Sequence, residues 1–159
     1  MPDVMTQHNI GALVDIRRMS DHSTATAGGT GAATQVVGLT VDRMGFSGGA
    51  LPQSGLFSVL FETTLGAANT TSLATLFQHS IDGSSWTDYQ AGAAAVIATG
   101  PTGGGTIKGQ LNVQVDITGA NRYVRFNYTP TFSAANTDTF YADAVGAFGG
   151  FSKLPAPNT

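Results

Sequence analysis

Cysteine is absent from the 159-residue chain, which removes disulfides, thiolate metal sites and cysteine nucleophiles together. Charge is scarce as well. Asp, Glu, Lys and Arg make up 11% of residues, against about 25% in an ordinary soluble domain. Seven cationic and ten acidic residues leave a net charge of −3. The basic stripe expected of a nucleic-acid binder is missing, and the one adjacent cationic pair, Arg17–Arg18, is offset by Asp15 and Asp21. Direct nucleic-acid binding is therefore not expected. No stretch reaches the roughly 18 apolar residues of a spanning helix, so no membrane partner is expected. The segment Met1–Arg18 lacks the basic start and apolar run of a signal peptide, and the expectation is synthesis and solubility in a cytoplasm. Without export, the triplets Asn69-Thr70-Thr71 and Asn127-Tyr128-Thr129 carry no glycosylation meaning. Long amphipathic helical periodicity is absent throughout.

What is abundant is small and uncharged: 21 glycines, with runs of Ala, Thr and Ser. Such a surface is desolvated at little cost, because few ions must give up water, and it suits extended protein–protein contact. The chain length predicts one domain with room for an appended arm. We divide it into an extended N-terminal arm, 1–34, and a β-sandwich domain, 35–159. In the arm, Ile10, Leu13, Val14, Ile16 and Met19 form a short apolar cluster. The stretch Ser20–Thr34 then has no large apolar residue, too little to offset its own ordering entropy. It is expected to be flexible or extended, ordered only where something holds it. Ile10, Leu13, Val14 and Ile16 are the candidate partner-binding residues of this arm.

From Gln35 onward the pattern is that of strands. They are predicted at Gln35–Val41, Leu56–Leu65, Leu73–His79, Trp86–Tyr89, Ala94–Ala98, Ile107–Ile117, Arg122–Tyr128 and Thr139–Phe148. In Ile107–Ile117, apolar Leu111, Val113, Val115 and Ile117 alternate with Gln110, Asn112, Gln114 and Asp116, one buried face and one wet face. Turn signals fall at Asn69-Thr70, Asp82-Gly83, Pro101–Gly105 and Thr118–Asn121. A single helical turn is conceivable at Phe132–Asn136. Short strands at this spacing predict an all-β antiparallel sandwich or barrel, of jelly-roll or immunoglobulin-like type.

Chemistry finds little support. His22-Ser23 places a base beside a hydroxyl, but adjacent residues seldom present both groups to one reacting atom. His8, His22 and His79 have no second ligand at metal spacing. The runs Gly28-Gly29-Thr30-Gly31 and Gly103-Gly104-Gly105 lead into no helix and no Lys-Ser/Thr pair, so neither is a phosphate loop. No catalytic residue, cofactor or metal is expected. Asp82-Gly83 suits a tight hairpin needing positive φ, and Trp86 beyond it would pack over the sheet with its indole N–H on a loop carbonyl. Asp82, Gly83 and Trp86 are thus candidate structural hairpin residues.

The segment LFQHSIDGSSWTDY (Leu76–Tyr89) is followed about forty residues later by RYVRFNYTP (Arg122–Pro130), then SAANTDT (Ser133–Thr139). This order resembles small tailed-bacteriophage virion proteins over roughly Leu73–Leu154, about half the chain. The resemblance implies a non-enzymatic structural subunit of the virion, assembled in the host cytoplasm. Its most specific form is a capsid cement (decoration) protein, whose partners are the major capsid protein and copies of itself. Closed symmetry points to a homotrimer on local threefold positions of a shell. A tail-tube or neck subunit is the alternative within the virion. The same Ser-x-Asp-Gly-x-x-Trp and Arg-Tyr-Val-Arg order also resembles discoidin-like β-sandwiches, which implies a glycan-binding module with its site on loops at one end.

Overall fold

The computed structural model describes residues 10–46, 49–135 and 137–152. Two antiparallel sheets pack into a β-sandwich. Sheet A contains β1 (Val14–Arg18), β2 (Ser23–Thr26), β4 (Ser54–Leu65), β7 (Gly105–Asp116) and β9 (Thr139–Gly149). Its order is β1-β9-β4-β7, and β2 continues β1 along the same edge of β9. Sheet B contains β3 (Val41–Asp42), β5 (Thr70–Ser80), β6 (Thr87–Thr99) and β8 (Tyr123–Phe132), in the order β3-β8-β5-β6. With β1 and β2 counted as one interrupted strand, this is the order of a jelly roll, in which the chain changes sheet at nearly every connection.

Period-two alternation places the core. Phe57, Val59 and Phe61 point inward from β4, Leu73 and Phe77 from β5, Val124, Phe126 and Tyr128 from β8, Phe140 and Phe148 from β9. The ring of Phe57 lies 4.8 Å from Phe77, 5.3 Å from Phe126 and 5.5 Å from Phe148, centre to centre. Such ring pairs contribute about 0.5–1.5 kcal/mol each beyond the area they bury. Gly146 makes the space: a Cβ there would fall 2.9 Å from the Phe57 ring and 3.0 Å from Cγ of Met19.

The N-terminal segment, expected to be ordered only where something holds it, is held by β9. Val14–Arg18 pairs with Gly149–Val145, and Ser23–Thr26 pairs with Ala142–Thr139. Met19 is fully buried, and Ala25 and Ala27 nearly so. The side chains are indeed small, but β9 supplies a row of main-chain partners, so the ladder holds what apolar burial alone would not. β1 and β2 thereby complete sheet A.

Two further departures have local causes. Gln35–Val41 is not a regular strand: it bridges β8 at Val36 and pairs again only from Val41. Between them Gly38 passes so close to the Phe126 carbonyl that a Cβ would sit 2.1 Å from its oxygen, and its N–H donates to Asn127 Oδ1 at 2.8 Å instead of to the ladder. The expected strands Trp86–Tyr89 and Ala94–Ala98 fall in one strand, β6, which begins at Thr87 and whose pairing with β5 slips at three points. Each slip shifts the side-chain alternation, which makes one strand read as two. At Phe132–Asn136, Phe132 ends β8 and 133–135 bend; Asn136 lies outside the described residues.

Because Met19 packs against the Phe57–Gly146 contact, Met19→Ala should cost about 2–5 kcal/mol of unfolding free energy. The exposed neighbour Ile16→Ala should stay within about 0.5 kcal/mol. Urea denaturation of the two variants checks this, and equal losses would mean that the segment is not seated as described.

Candidate interaction surface on the outer face of sheet A

The outward residues of sheet A form rows across β1 or β2, β9, β4 and β7. Register places Ile16, Ala147, Leu56 and Gln114 in one row, and Arg18, Val145, Ser58 and Asn112 in the next. Further along come Asp143, Leu60 and Gln110, then Thr24, Tyr141, Glu62 and Lys108, and last the four threonines Thr26, Thr139, Thr64 and Thr106. Large apolar side chains lie open to solvent on this face: Ile16 is 68% exposed, Ile10 67%, Leu60 44%, Tyr141 41% and Leu56 39%. These are five of the ten large exposed apolar residues among the described ones, so the sandwich gathers on one face half of what it leaves unburied. Exposed apolar side chains gathered on one face mark an interaction site more often than the same residues scattered singly.

The face carries two depressions. One, of about 540 Å³, is lined by Ile10, Val14, Leu56 and Ala147, with Gln114 and Asp116 at its border. The other, of about 430 Å³, is walled by His22, Tyr141, Asp143, Leu60, Glu62 and Lys108. In it the His22 ring lies parallel to Tyr141, 6.2 Å between centres and 10° between planes. His22 Nδ1 is 3.0 Å from Asp143 Oδ2. Lys108 Nζ stands 2.8 Å from Glu62 Oε2, and this carboxylate raises the lysine above its ordinary value. His22 and Ser23 do not act on one point: His22 faces Asp143 on the surface, whereas Ser23 Oγ lies 2.7 Å from the hydroxyl of buried Tyr128.

Three of the four candidate arm residues, Ile10, Val14 and Ile16, arrive on this face together. Ile10 and Val14 line the apolar depression and Ile16 stands in the row of Leu56, whereas half-buried Leu13, just before β1, lines neither depression. Leu56 and Leu60 were missed in the sequence because they occupy the wet parity of β4, among Ser54, Ser58, Glu62 and Thr64. Their signal was there: leucine at positions where the alternation calls for a polar residue. Among the described residues no group of three or more metal-ligating side chains forms.

The hairpin residues lie elsewhere, in sheet B. Gly83 has φ +77°, the left-handed conformation that Asp-Gly anticipates. The connection is nevertheless longer than a two-residue turn, running 81–86 between β5 and β6. Asp82 organises it. Its Oδ1 accepts from the N–H groups of Ser85 at 2.7 Å and Ser84 at 2.8 Å and from Ser80 Oγ, and its Oδ2 accepts from Ser85 Oγ. Those donors, Ser85 and Ser84 N–H first, hold the carboxyl well below the usual carboxylate range. Trp86 is half-buried on the outer face of sheet B, with the Arg125 guanidinium 4.1 Å over its ring. It is a cation–π platform, and among the described residues no loop carbonyl accepts from its indole N–H.

No protein-family model matches the chain, and no curated protein sequence does. Among solved structures it is similar to the VP2 subviral particle of infectious bursal disease virus, at 8% identity and a TM-score of 0.49, over 85% of this chain and 32% of that one. It thus spans about a third of that protein's length. It is also similar to the PBSX exported protein XepA, at 15% identity and a TM-score of 0.33, over 91% of this chain and 38% of that one. A third likeness is to the C-terminal family 22 carbohydrate-binding module of Clostridium thermocellum Xyn10B, at 16% identity and a TM-score of 0.41, over 94% and 98%.

Gly83→Val should cost about 1–2 kcal/mol, since a β-branched residue resists positive φ, while space is not limiting: the nearest atoms to a Cβ there are 3.6 Å away. Trp86→Ala, removing a surface cation–π contact, should cost only about 1 kcal/mol. A loss near that of a core aromatic in denaturant titration would contradict the placement.

Asp82 also sets a pH dependence. Its folded value lies below the unfolded one of about 3.9, so its stabilisation is full above that unfolded value and is lost as pH falls through the folded one. The melting temperatures of wild type and Asp82→Ala should therefore differ at neutral pH and converge in strong acid. A constant gap would show that the carboxylate charge is immaterial.

Proposed function

We propose that this chain is a non-enzymatic structural protein of a virion, a capsid cement (decoration) subunit that binds the assembled shell through the outer face of sheet A. The observation that carries the reading is that face: exposed Ile10, Ile16, Leu56, Leu60 and Tyr141 on a single side of one sheet. Its occupant is the major capsid protein. A shell presents its subunits in many identical copies, and a chain this poor in charge gives up little hydration against such a surface. The jelly-roll strand order agrees, being widely used in capsid and lectin domains, although fold alone never assigns function. The tailed-phage resemblance of the hairpin and the Arg122–Pro130 strand points the same way.

By mass action, binding the assembled shell better than its free subunits raises the shell's resistance to heat and internal pressure. The contact rests on apolar area, so its affinity should fall only modestly with salt. The experiment strips the protein from particles, adds it back, and follows DNA release on heating at low and high salt. Protection is expected at both. It should be abolished by Leu56→Asp, which leaves the melting temperature of the free protein unchanged within about 2 °C. Equal release temperatures for stripped and restored particles would sink the cement reading.

The second depression favours a second reading, a glycan-binding module. Tyr141 there offers a half-exposed ring, flanked by the His22–Asp143 and Glu62–Lys108 pairs, and sugars are commonly held by an aromatic face with polar groups at its rim. Glycan-array binding that Tyr141→Ala removes would move this reading ahead of the shell.

A further inference from the structure

The jelly roll leaves its outermost strands very differently finished. On one side, sheet A ends in the interrupted β1–β2 edge, and sheet B in β3, only two residues long. On the other side, sheet B ends in β6, whose three register slips spoil it as a template. β7 is the exception. It pairs with β4 through twelve residues in unbroken register, Gly105 to Asp116, with no proline and no bulge. Its far side has no strand partner among the described residues.

Which main-chain groups are left open follows from two side chains of β6. Tyr89 Oη donates to the Asp116 carbonyl at 2.8 Å, and Gln90 Nε2 donates to the Gln114 carbonyl at 3.1 Å. Even-numbered carbonyls of β7 thus face away from β4. By strand alternation the N–H and C=O groups of residues 106, 108, 110 and 112 face the same way. The end at 114–116 is covered, and 105–113 is bare. A long unprotected edge of this kind is a ready site for strand addition. Charge does not guard it: between Asp88 and Asp116 the sole charged residue is Lys108, which is turned to Glu62 of β4.

We infer that β7 pairs antiparallel with β7 of a second copy about a twofold axis at Gly109, joining two A sheets into one. The bare stretch sets this register, because 105–113 is symmetric about residue 109. The rows it creates are self-complementary. On the inner side Ile107 meets Leu111 of the other copy, both partly buried already at the core margin, and glycine meets glycine on the axis. On the outer side Thr106 meets Asn112 and Lys108 meets Gln110, polar opposite polar with no like charges opposed. Ala91 and Ala93–Val96 of β6, exposed and uncharged, would lie beside the same axis in the second layer. Edge pairing of this kind closes as an isologous dimer, in place of the trimer expected from shell symmetry. It involves free protein only and stands whether or not the shell is the partner.

Sedimentation equilibrium of the free protein from micromolar to millimolar concentration tests it. A monomer–dimer equilibrium is expected. Gln110→Lys sets like charges opposite Lys108 twice per dimer and should weaken association about tenfold at low salt, with partial recovery at high salt; Gln110→Glu should tighten it by a similar factor. Gln110→Pro removes only an outward N–H, so it should leave a folded monomer. Should that variant fail to fold, the oppositely directed Lys and Glu shifts carry the test. A wild type monomeric throughout, an oligomer indifferent to residue 110, or a trimer would each overturn the inference.

Discussion

A β-strand has two hydrogen-bonding edges, and a two-sheet sandwich has to do something with each of its outermost ones. That constraint orders most of this molecule. β9, central in sheet A, takes β4 on one edge and would stand bare on the other were it not for the segment 14–26. An N-terminal stretch with little to bury is kept in place because it answers unpaired amides and carbonyls, each costly to leave open. The interruption at residues 19–22 is also satisfied. Met19 and Ser20 N–H both reach the Ala144 carbonyl, and Ser20 Oγ accepts from Ala144 N–H at 2.8 Å. Leu39 N–H, donating to the Met19 carbonyl at 2.7 Å, then ties the sheet B side to the same spot.

Tyr128 joins that edge to the core. It is fully buried in β8 of sheet B, and its hydroxyl lies 2.7 Å from Ser23 Oγ and 3.4 Å from Ser20 Oγ, both carried by the N-terminal segment of sheet A. Burial pushes this phenol up, against the lowering by the two serine hydroxyls. A buried hydroxyl without partners would be destabilising. Here the partners come from the segment whose position the hydroxyl helps to fix, so the cross-sheet contact and the edge strand depend on each other.

The strands were legible where their alternation was clean. Leu111, Val113, Val115 and Ile117 turn inward and Gln110, Asn112, Gln114 and Asp116 outward, as their order implies. What defeated sequence reading were interactions that leave no periodic trace. A strand such as Ser23–Thr26 is held by main-chain bonds to residues more than a hundred positions away, and a glycine such as Gly38 is required by a carbonyl across the sheet edge. Sheet membership was equally hidden, because period two marks a face without naming the sheet. For the candidate surface, Ile10, Val14 and Ile16 were visible as an apolar cluster, but its other half was not. Leu56 and Leu60 become their neighbours only through the β1–β9–β4 register.

The two outer faces then explain each other. On sheet B, polar side chains satisfy one another: Gln78 Oε1 accepts from Arg125 Nε and Asn127 Nδ2, Gln78 Nε2 donates to Asp88, and Arg125 covers Trp86. Burial alone lowers the Arg125 guanidinium only from a very high value, so it stays charged and hydrated at its rim. A face closed on itself in this way has few unmet donors or acceptors to offer a partner, and water suits it. Sheet A has the reverse economy, with large apolar side chains that water serves poorly and a margin at β7 with unmet main-chain groups. In the proposed assembly, then, sheet A would lie against the shell and sheet B would look outward. β7 lies in the same layer as the docking face, so pairing two copies through it would extend that face without covering it. Two A sheets joined edge to edge would engage a shell as one bivalent surface, and two modest contacts held at a fixed separation bind far more tightly than either alone.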